Sequence, residues 1–492
     1  MPALRLHKHF LIMDTLELRD TLTRERRLIV AEDGSTLRLY CCGPTVYGPA
    51  HIGNFRTFLV QDLFRRVVEL TGLPVKHVRN ITDVDDKTIR ESQAAGKSLK
   101  EFTDHWVERL HVDCAAMNML TPHLEPSAVE HIAEQITLIE TLVEKGHAYQ
   151  GADGSVYFKV SSFEDYGSLS GLKDRELKMG ASDTANDADE YEKESLADFA
   201  LWKSRKPEDG DNFWNSPWGE GRPGWHLECS AMSMKHLGET FDVHGGGVDL
   251  IFPHHENEIA QSEACTCKPF VRHWFHSEHL MVEGGKMAKS SGTMYTLSDL
   301  VEKGYSPAEV RFALLAGSYR QKLNFKEESL NAARLNLTRI AELVARLREV
   351  GSLEFSVGSH EELVAEVKGG ARPQEMFEEA WKALLDDLNT PKALGAFFSR
   401  VKDFEKSEVS AEDAGKALRG ILFFVDALGV QLPEVVEAEA ADVPEDVKAL
   451  AEQRLEAKSN KDWATSDALR DQIKEMGWIL KDTKDGYELE KG

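Results

Sequence analysis

The chain has 492 residues, with 84 acidic against 59 basic side chains and a formal charge of −25. That length sets a prior of about three or four domains with several cores. The charge excludes a protein that coats anionic membranes or bulk nucleic acid through its overall field, while leaving room for local basic patches that hold RNA. No apolar run approaches the ~18 residues of a membrane span, and six cysteines at irregular spacing exclude a disulfide scaffold.

Residues 1–20 read as an N-terminal extension. They carry Arg5, Lys8 and Arg19 but also Asp14, Glu17 and Asp20, and acids are scarce in organelle transit peptides. Met13 opens an ordinary-looking start, so a cytoplasmic protein is expected, with residues 1–12 dispensable. "LRLYCC" is a short apolar run, read as a buried strand that ends near Cys42. "NFRTFLVQDLFRRVVELTG" has apolar residues near the helical period and stops at Gly72. "LPVKHVRNI" is strand-like, and "TDVDDKTIRES" starts a helix with Thr82 or Asp83 as its cap. Strand, glycine turn, helix and strand make a βαβ unit, so residues 21–310 are expected to form a Rossmann-like, doubly wound parallel α/β domain.

Residues 100–146 read as helices and 147–160 as a hairpin turning at "GADG". From 161 to 223 no periodicity is evident: "SDTANDADEYEKE" is acidic, and "SPWGEGRPGWH" is crowded with Gly and Pro. An insertion within the α/β domain is expected over roughly 120–223. The α/β pattern resumes at "GWHLECSAMSMKHLG", "FDVHGGGVDLIF" and "HHENEIAQSEA". Beyond 305 the pattern is helical, giving an α-helical bundle over 311–430. An acidic linker over 431–446 and a small module over 447–492 complete the chain.

Three stretches carry chemistry. In "CCGPTVYGPAHIGN" a strand runs through two Gly-Pro turns into a helix N-terminus, whose unpaired N–H groups form an anion site. His51 stands there, able to donate to phosphate oxygens as their charge grows in transfer; the bland alternative is a capping turn. In "MVEGGKMAKSSGT", Gly284, Gly285 and Gly292 bracket Lys286, Lys289, Ser290 and Ser291, a loop able to close over a polyphosphate rather than an ordinary solvated one. In "HHENE", His254 and Glu258 are four apart on one predicted helix face. With Cys42 and Cys229 they would suit Zn²⁺, although buried cysteines are also common core residues. Cys41 should point to the opposite face of its strand from Cys42. Cys114, Cys265 and Cys267 are read as packing or surface residues, and His255 and Glu256 as neighbours of the ligands or core.

"HIGN" resembles the HIGH signature of class I aminoacyl-tRNA synthetases, and "KMAKS" resembles their KMSKS loop. "CGPTVY", "RNITDVDDK", "GWHLECSAM" and "FPHHENEIAQS" are together similar to the cysteine-specific branch of that family. Asn54 replaces a histidine of the signature and keeps a donor, while Ala288 replaces a serine and spares both lysines. The likeness covers most of residues 15–320 and continues more loosely through the helical C-terminus. It implies ATP-dependent activation of L-cysteine, with Mg²⁺ accompanying the ATP, and transfer to tRNA-Cys by a monomer. His51, Asn54, Lys286 and Lys289 are implied as catalytic. Thr45, Gly53 and Ser290 are implied for ATP along with them, and Gly245, Gly246, Gly247 and Asp249 at the adenosine. Gly43, Thr82 and Trp225 are implied for the cysteine, and Cys42, Cys229, His254 and Glu258 for one zinc. Two alternatives are a related ligase that passes activated cysteine to an amino sugar in mycothiol synthesis, and a zinc-holding RNA-binding protein without activity. The long region after 320 and the intact signatures speak against them.

Overall fold

The computed structural model describes residues 14–172, 198–287, 292–352, 358–435, 443–483 and 486–491. At its centre is a four-stranded, all-parallel sheet built from β1 (Leu37–Cys41), β2 (Val75–Arg79), β3 (Phe241–Gly247) and β4 (Val271–Ser277), in the order β4-β3-β1-β2. Helix α1 (Ile52–Leu70) connects β1 to β2, α2 (Trp225–Leu237) precedes β3, and α3 (Glu256–Thr266) leads into β4. The chain leaves β1 toward β2 on one side and reaches β3 on the other. The carboxyl ends of β1 and β3 therefore flank a switch point, where open α/β sheets bind ligands. Gly245 pairs with Cys41 at this edge.

The sheet is buried on both faces, as parallel sheets require. Leu37, Leu39 and Cys41 face a core shared with α1 (Phe55, Leu63, Phe64 and Val67), whereas Tyr40 and Cys42 face a second core with Cys229, Met232 and Trp274. Burying side chains such as these contributes about 1.5–3 kcal/mol each. The N-terminus of α1 is closed by a reciprocal capping box. The Asn54 N–H donates to His51 Nδ1 at 3.2 Å, and the His51 N–H donates to Asn54 Oδ1 at 3.1 Å. The helix predicted from "TDVDDK" spans Asp86–Ala94 and is capped by Asp85, not by Thr82 or Asp83. Thr82 is engaged instead in a β-bridge to Thr45.

The described residues of 161–223, where no periodicity is visible, contain three strands. Phe199–Ser204, Trp214–Ser216 and Gly219–Pro223 join Ala148–Gln150 and Val156–Phe158 in a five-stranded antiparallel sheet. Most of these strands are too short to display an alternation. The sheet's core (Phe158, Leu201, Trp202) receives Leu227 and Ala231 from α2 and Ala260 from α3, so both helices are held from two sides. The acidic stretch "SDTANDADEYEKE" lies outside the described residues. A further strand, Leu323–Phe325, pairs in parallel with Leu280–Val282 in a region read as purely helical.

The helices Pro307–Leu315, Glu327–Gly351, Thr390–Lys406 and Ala411–Ala427 share one continuous core with α1. A buried ionic hub reinforces the junction. Asp62 accepts from Arg66 at 3.0 Å and from Arg311, while Arg66 Nη1 donates to Asp426 Oδ1 at 3.0 Å. Residues 14–20 also belong to this unit: Leu16 and Leu18 are buried, and Trp381 Nε1 donates to Asp14 Oδ2 at 2.7 Å. The chain divides into two compact units, residues 1–432 and 433–492. In the second, helices Glu445–Ser459 and Trp463–Glu475 pack with a two-stranded ribbon around Val447, Ala451, Ile473, Trp478 and Leu480. Among the described residues no helix is long and apolar enough to cross a membrane.

Candidate active site

Cys42 follows directly on β1, Cys229 lies in the second turn of α2, His254 lies in the π-helical turn Ile251–His255 that leads into α3, and Glu258 lies in the first turn of α3. The fold brings one donor atom from each within 4.8 Å of the others, all in buried side chains. The Sγ atoms of Cys42 and Cys229 are 3.8 Å apart, and His254 Nε2 is 3.0 Å from Glu258 Oε1. Two thiolates at ~2.3 Å from one tetrahedral ion would be separated by about 3.8 Å, so the donor set fits Zn²⁺ in both chemistry and spacing. The four groups are electrostatically coupled. Burial pushes the Cys229 thiol up, but the hydrogen bond from Cys42 and the hydrogen bond and charge of His254 outweigh it and bring it to about 6. Burial likewise opposes charge on His254 and Glu258. Their mutual attraction, with Cys229 on one side and His244 on the other, nevertheless holds His254 up near about 10 and Glu258 down near about 2. Cys42 is pushed well up, by burial first and then by Cys229. Cys229 as thiolate and Glu258 as carboxylate thus hold His254 as an imidazolium between them, a proton that a metal cation would displace.

A layer that sequence spacing did not reveal lies beneath. His244 Nε2 is 3.0 Å from Glu258 Oε2, and His255 Nε2 is 3.3 Å from Cys42 Sγ. Cys42, His244, His255 and Glu258 therefore make a second convergent donor set. His255 Nδ1 continues to His276 Nε2 at 2.7 Å, and His276 Nδ1 to Thr21 Oγ1 at 2.8 Å. His255 is expected here as a neighbour of the ligands; for His244 and His276 the sequence signal is the density of histidines in "VHGGG", "PHHENE" and "HWFHS". Glu256, adjacent to the pair, is committed elsewhere, since its carboxylate accepts from the backbone N–H groups of Gly167 and Ser170, both at 2.8 Å.

The indole of Trp225 stacks on the His254 ring, centroids 4.3 Å apart, and covers the cluster from the start of α2. Thr82 reaches the same wall by donating its hydroxyl to Glu228 Oε2 at 2.9 Å. Gly43 approaches so closely that a Cβ there would lie 1.8 Å from the Asn80 carbonyl oxygen. The glycines at the end of β3 also answer to close approach, since a Cβ at Gly245 would strike Phe275 and one at Gly246 the His255 ring. Asp249 follows in a short 3₁₀ turn, exposed at that edge, and a Cβ at Gly247 would lie 2.3 Å from its Oδ1.

The two signature stretches meet in space. The Ile52 N–H donates to the Tyr295 carbonyl at 2.9 Å, and His51 bridges to Thr296. Met287 packs against the start of α1, where a Cβ at Gly53 would come within 2.2 Å of its methyl group. Lys286 ends a strand whose backbone pairs with Met281. Its side chain, Lys289 and Ser290 lie outside the described residues. Because the capping bond makes His51 Nδ1 an acceptor, a neutral His51 ring carries its proton on Nε2.

Comparison with known proteins shows the family. Residues 29–335 match the family model of the tRNA synthetases class I (C) catalytic domain. Residues 380–432 match the DALR domain, and 440–488 the cysteinyl-tRNA ligase anticodon binding domain. The cysteine–tRNA ligase of Opitutus terrae is 53% identical over 482 residues, covering 96% of this chain and 99% of that protein. That of Chlamydia muridarum is 43% identical over 486 residues, covering 97% and 99%. Among solved structures, Mycobacterium tuberculosis methionyl-tRNA synthetase in complex with methionyl-adenylate superposes with a TM-score of 0.56. The superposition spans 80% of this chain and 89% of that one at 15% identity, a likeness of fold.

Proposed function

Because the chain belongs to the cysteine–tRNA ligase family of class I aminoacyl-tRNA synthetases, we propose that it activates L-cysteine with Mg·ATP and transfers it to tRNA-Cys, with the Cys42–Cys229–His254–Glu258 cluster as its amino-acid selector. One observation carries this reading: the donor cluster sits at the carboxyl edge of β1, beside a helix N-terminus that the Met287 segment touches.

In the first step the cysteine carboxylate attacks the α-phosphorus of ATP, forming cysteinyl-adenylate and releasing pyrophosphate. His51 Nε2–H and the Asn54 amide stabilise the charge that grows on the α-phosphate oxygens. Lys286 and Lys289 neutralise the departing pyrophosphate, with Ser290 beside them. Thr45 and Gly53 line the triphosphate, and Gly245–Gly247 let the adenosine approach the backbone while Asp249 accepts from the ribose. In the second step the 2′-hydroxyl of the terminal tRNA adenosine attacks the adenylate carbonyl, and AMP leaves.

Selection has to separate cysteine from serine and alanine, and shape alone discriminates such pairs only ~10–200-fold. Zinc held by the four residues would supply a soft coordination position that favours a thiolate over a hydroxyl or methyl. Trp225, stacked on His254, covers the cluster, and Thr82 and Gly43 complete the amino-acid pocket in this reading. Pyrophosphate exchange with cysteine and with serine, tRNA-Cys charging and metal analysis of the same preparation test this reading. Exchange that does not depend on cysteine would overturn it.

A further inference from the structure

We infer that Glu256 is a positioning residue for the amino-acid selector: it fastens residues 163–171 as a strap onto the stretch that carries His254 and Glu258. The inference rests on the reading of the four-residue cluster as the zinc-holding selector.

Glu256 stands between the two ligands in the chain and is fully buried. A carboxylate this buried needs its lone pairs filled, and the strap fills them. The Gly167 N–H donates to Oε1 at 2.8 Å, and the Ser170 N–H and hydroxyl both donate to Oε2 at 2.8 Å. Gly167 stands at φ +91°, a turn that glycine makes without strain. Three donors on two oxygens call for a carboxylate. An amide has one acceptor oxygen and would set its NH2 group against an N–H. The next residue is tied as well, since the Tyr166 hydroxyl donates to Asn257 Oδ1 at 2.6 Å. Two consecutive residues between His254 and Glu258 therefore grip one short segment.

The strap also reaches the thiol side of the selector. Leu169 is fully buried in the core that holds Cys42, Cys229 and Met232. Its carbonyl accepts from Arg24 Nη2 at 2.9 Å, which anchors the strap at a third point, ahead of β1. Hydrogen bonds to the 254–258 stretch and packing in the thiol core thus clamp ligands that come from the end of β1, from α2 and from the entry to α3. Metal–ligand bonds of ~2.0–2.3 Å tolerate little relative motion among those elements.

The zinc-loaded enzyme tests this through the rate at which its metal passes to a colorimetric chelator, read beside the KM values for cysteine and ATP. Glu256→Gln removes the second acceptor oxygen at constant size. Arg24→Asn removes the third anchor and suits that residue's φ of +65°. The two variants change charge in opposite senses, one losing a negative group and the other a positive one. Positioning by the strap makes both release zinc faster, roughly tenfold, the lower end of what losing a partner behind metal ligands costs. Both should raise the KM for cysteine and leave that for ATP unchanged. Release rates that move in opposite directions would mean that the charges act through their field, and would overturn the inference. So would wild-type release in both. Should Glu256→Gln fail to fold, the neutral Tyr166→Phe takes its place and has to release zinc faster alongside Arg24→Asn, an unchanged rate again overturning the role of the strap. Cys229→Ser, run in parallel, separates this from the selector reading. If it keeps its zinc and its preference for cysteine over serine, the cluster is not the selector. If it loses them while the strap variants match wild type, only the strap falls.

Discussion

Cys42 and Cys229 are 187 residues apart in the chain, and their Sγ atoms are 3.8 Å apart in the fold. One thiol is delivered by the end of a parallel strand and the other by a helix that two hydrophobic cores hold in place. The second pair, His254 and Glu258, needs only a helical turn to converge. The spacing of a site assembled this way is set by the packing of α2 and α3 against the sheet.

The purified enzyme is therefore expected to carry about one tightly held zinc per chain. Cys229→Ser should weaken retention of the ion and narrow the preference for cysteine over serine, since a hydroxyl is a poor substitute for a thiolate ligand. Metal analysis together with exchange rates for both amino acids checks this. Metal-free protein with full activity and unchanged selectivity would refute it.

Lys289→Ala should slow adenylate formation by roughly 10²–10³-fold, the usual consequence of losing one donor to developing charge. Zinc content should be untouched, because no ligand of the cluster lies in the 284–292 loop. Single-turnover adenylate formation at saturating cysteine and ATP measures the effect. An unaltered rate would remove Lys289 from the reaction.

Much of this was legible in the sequence for physical reasons. The βαβ unit announced itself because a fully buried strand, a glycine turn and a long amphipathic helix each leave a strong pattern, and α1 runs to Leu70, beside the predicted stop at Gly72. The His254–Glu258 pair was visible because helical spacing is local. His255 was readable as a neighbour of the ligands, but the contribution of His244 was not, since its convergence depends on β3 lying beside β1. Nor were the strands at 199–223, where three to six residues are too few to show an alternation. The helix cap was misplaced from Asp85 to Thr82 or Asp83 because the three residues have similar capping propensity, and tertiary bridging to Thr45 decided among them.

A pH-dependent contribution to stability is expected at the junction of the sheet and the helical bundle. His360 Nδ1 lies 2.6 Å from Asp426 Oδ2, and Nε2 lies 2.9 Å from Glu69 Oε2, with Arg65 and Arg66 nearby on α1. Burial disfavours the imidazolium and Arg66 repels it, but the two carboxylates prevail and raise the His360 pKa. A group whose folded pKa is raised stabilises fully below its unfolded pKa of about 6.5. That contribution is lost as pH rises through the higher folded value. Wild type should thus be more stable than His360→Gln at mildly acidic pH, and the gap should shrink on the alkaline side. Urea midpoints measured across that range decide it. A gap that is constant or grows with pH would mean the ring is neutral in the folded protein.

The last prediction concerns the division of labour along the chain. Residues 433–492 form a compact unit with its own core around Val447, Ile473 and Trp478, and the match to an anticodon binding domain falls on 440–488. A chain ending at Leu432 should therefore fold and form cysteinyl-adenylate at close to the full rate, because each activation residue named above precedes the cut. It should charge tRNA-Cys far more poorly, with the loss mainly in apparent tRNA affinity. The full chain's tRNA binding should weaken steeply with salt despite the net charge of −25, since Lys and Arg contacts to phosphate release counterions. Cutting earlier is a different experiment. Leu337, Ile340 and Phe424 from the helical bundle share a core with Phe64 and Val67 of α1, so a chain ending near residue 315 would expose that core and lose the scaffold under His51. Pyrophosphate exchange by the Leu432 chain is the control for folding. If that chain passes the control and still charges tRNA as well as the full protein, the C-terminal unit does not hold tRNA.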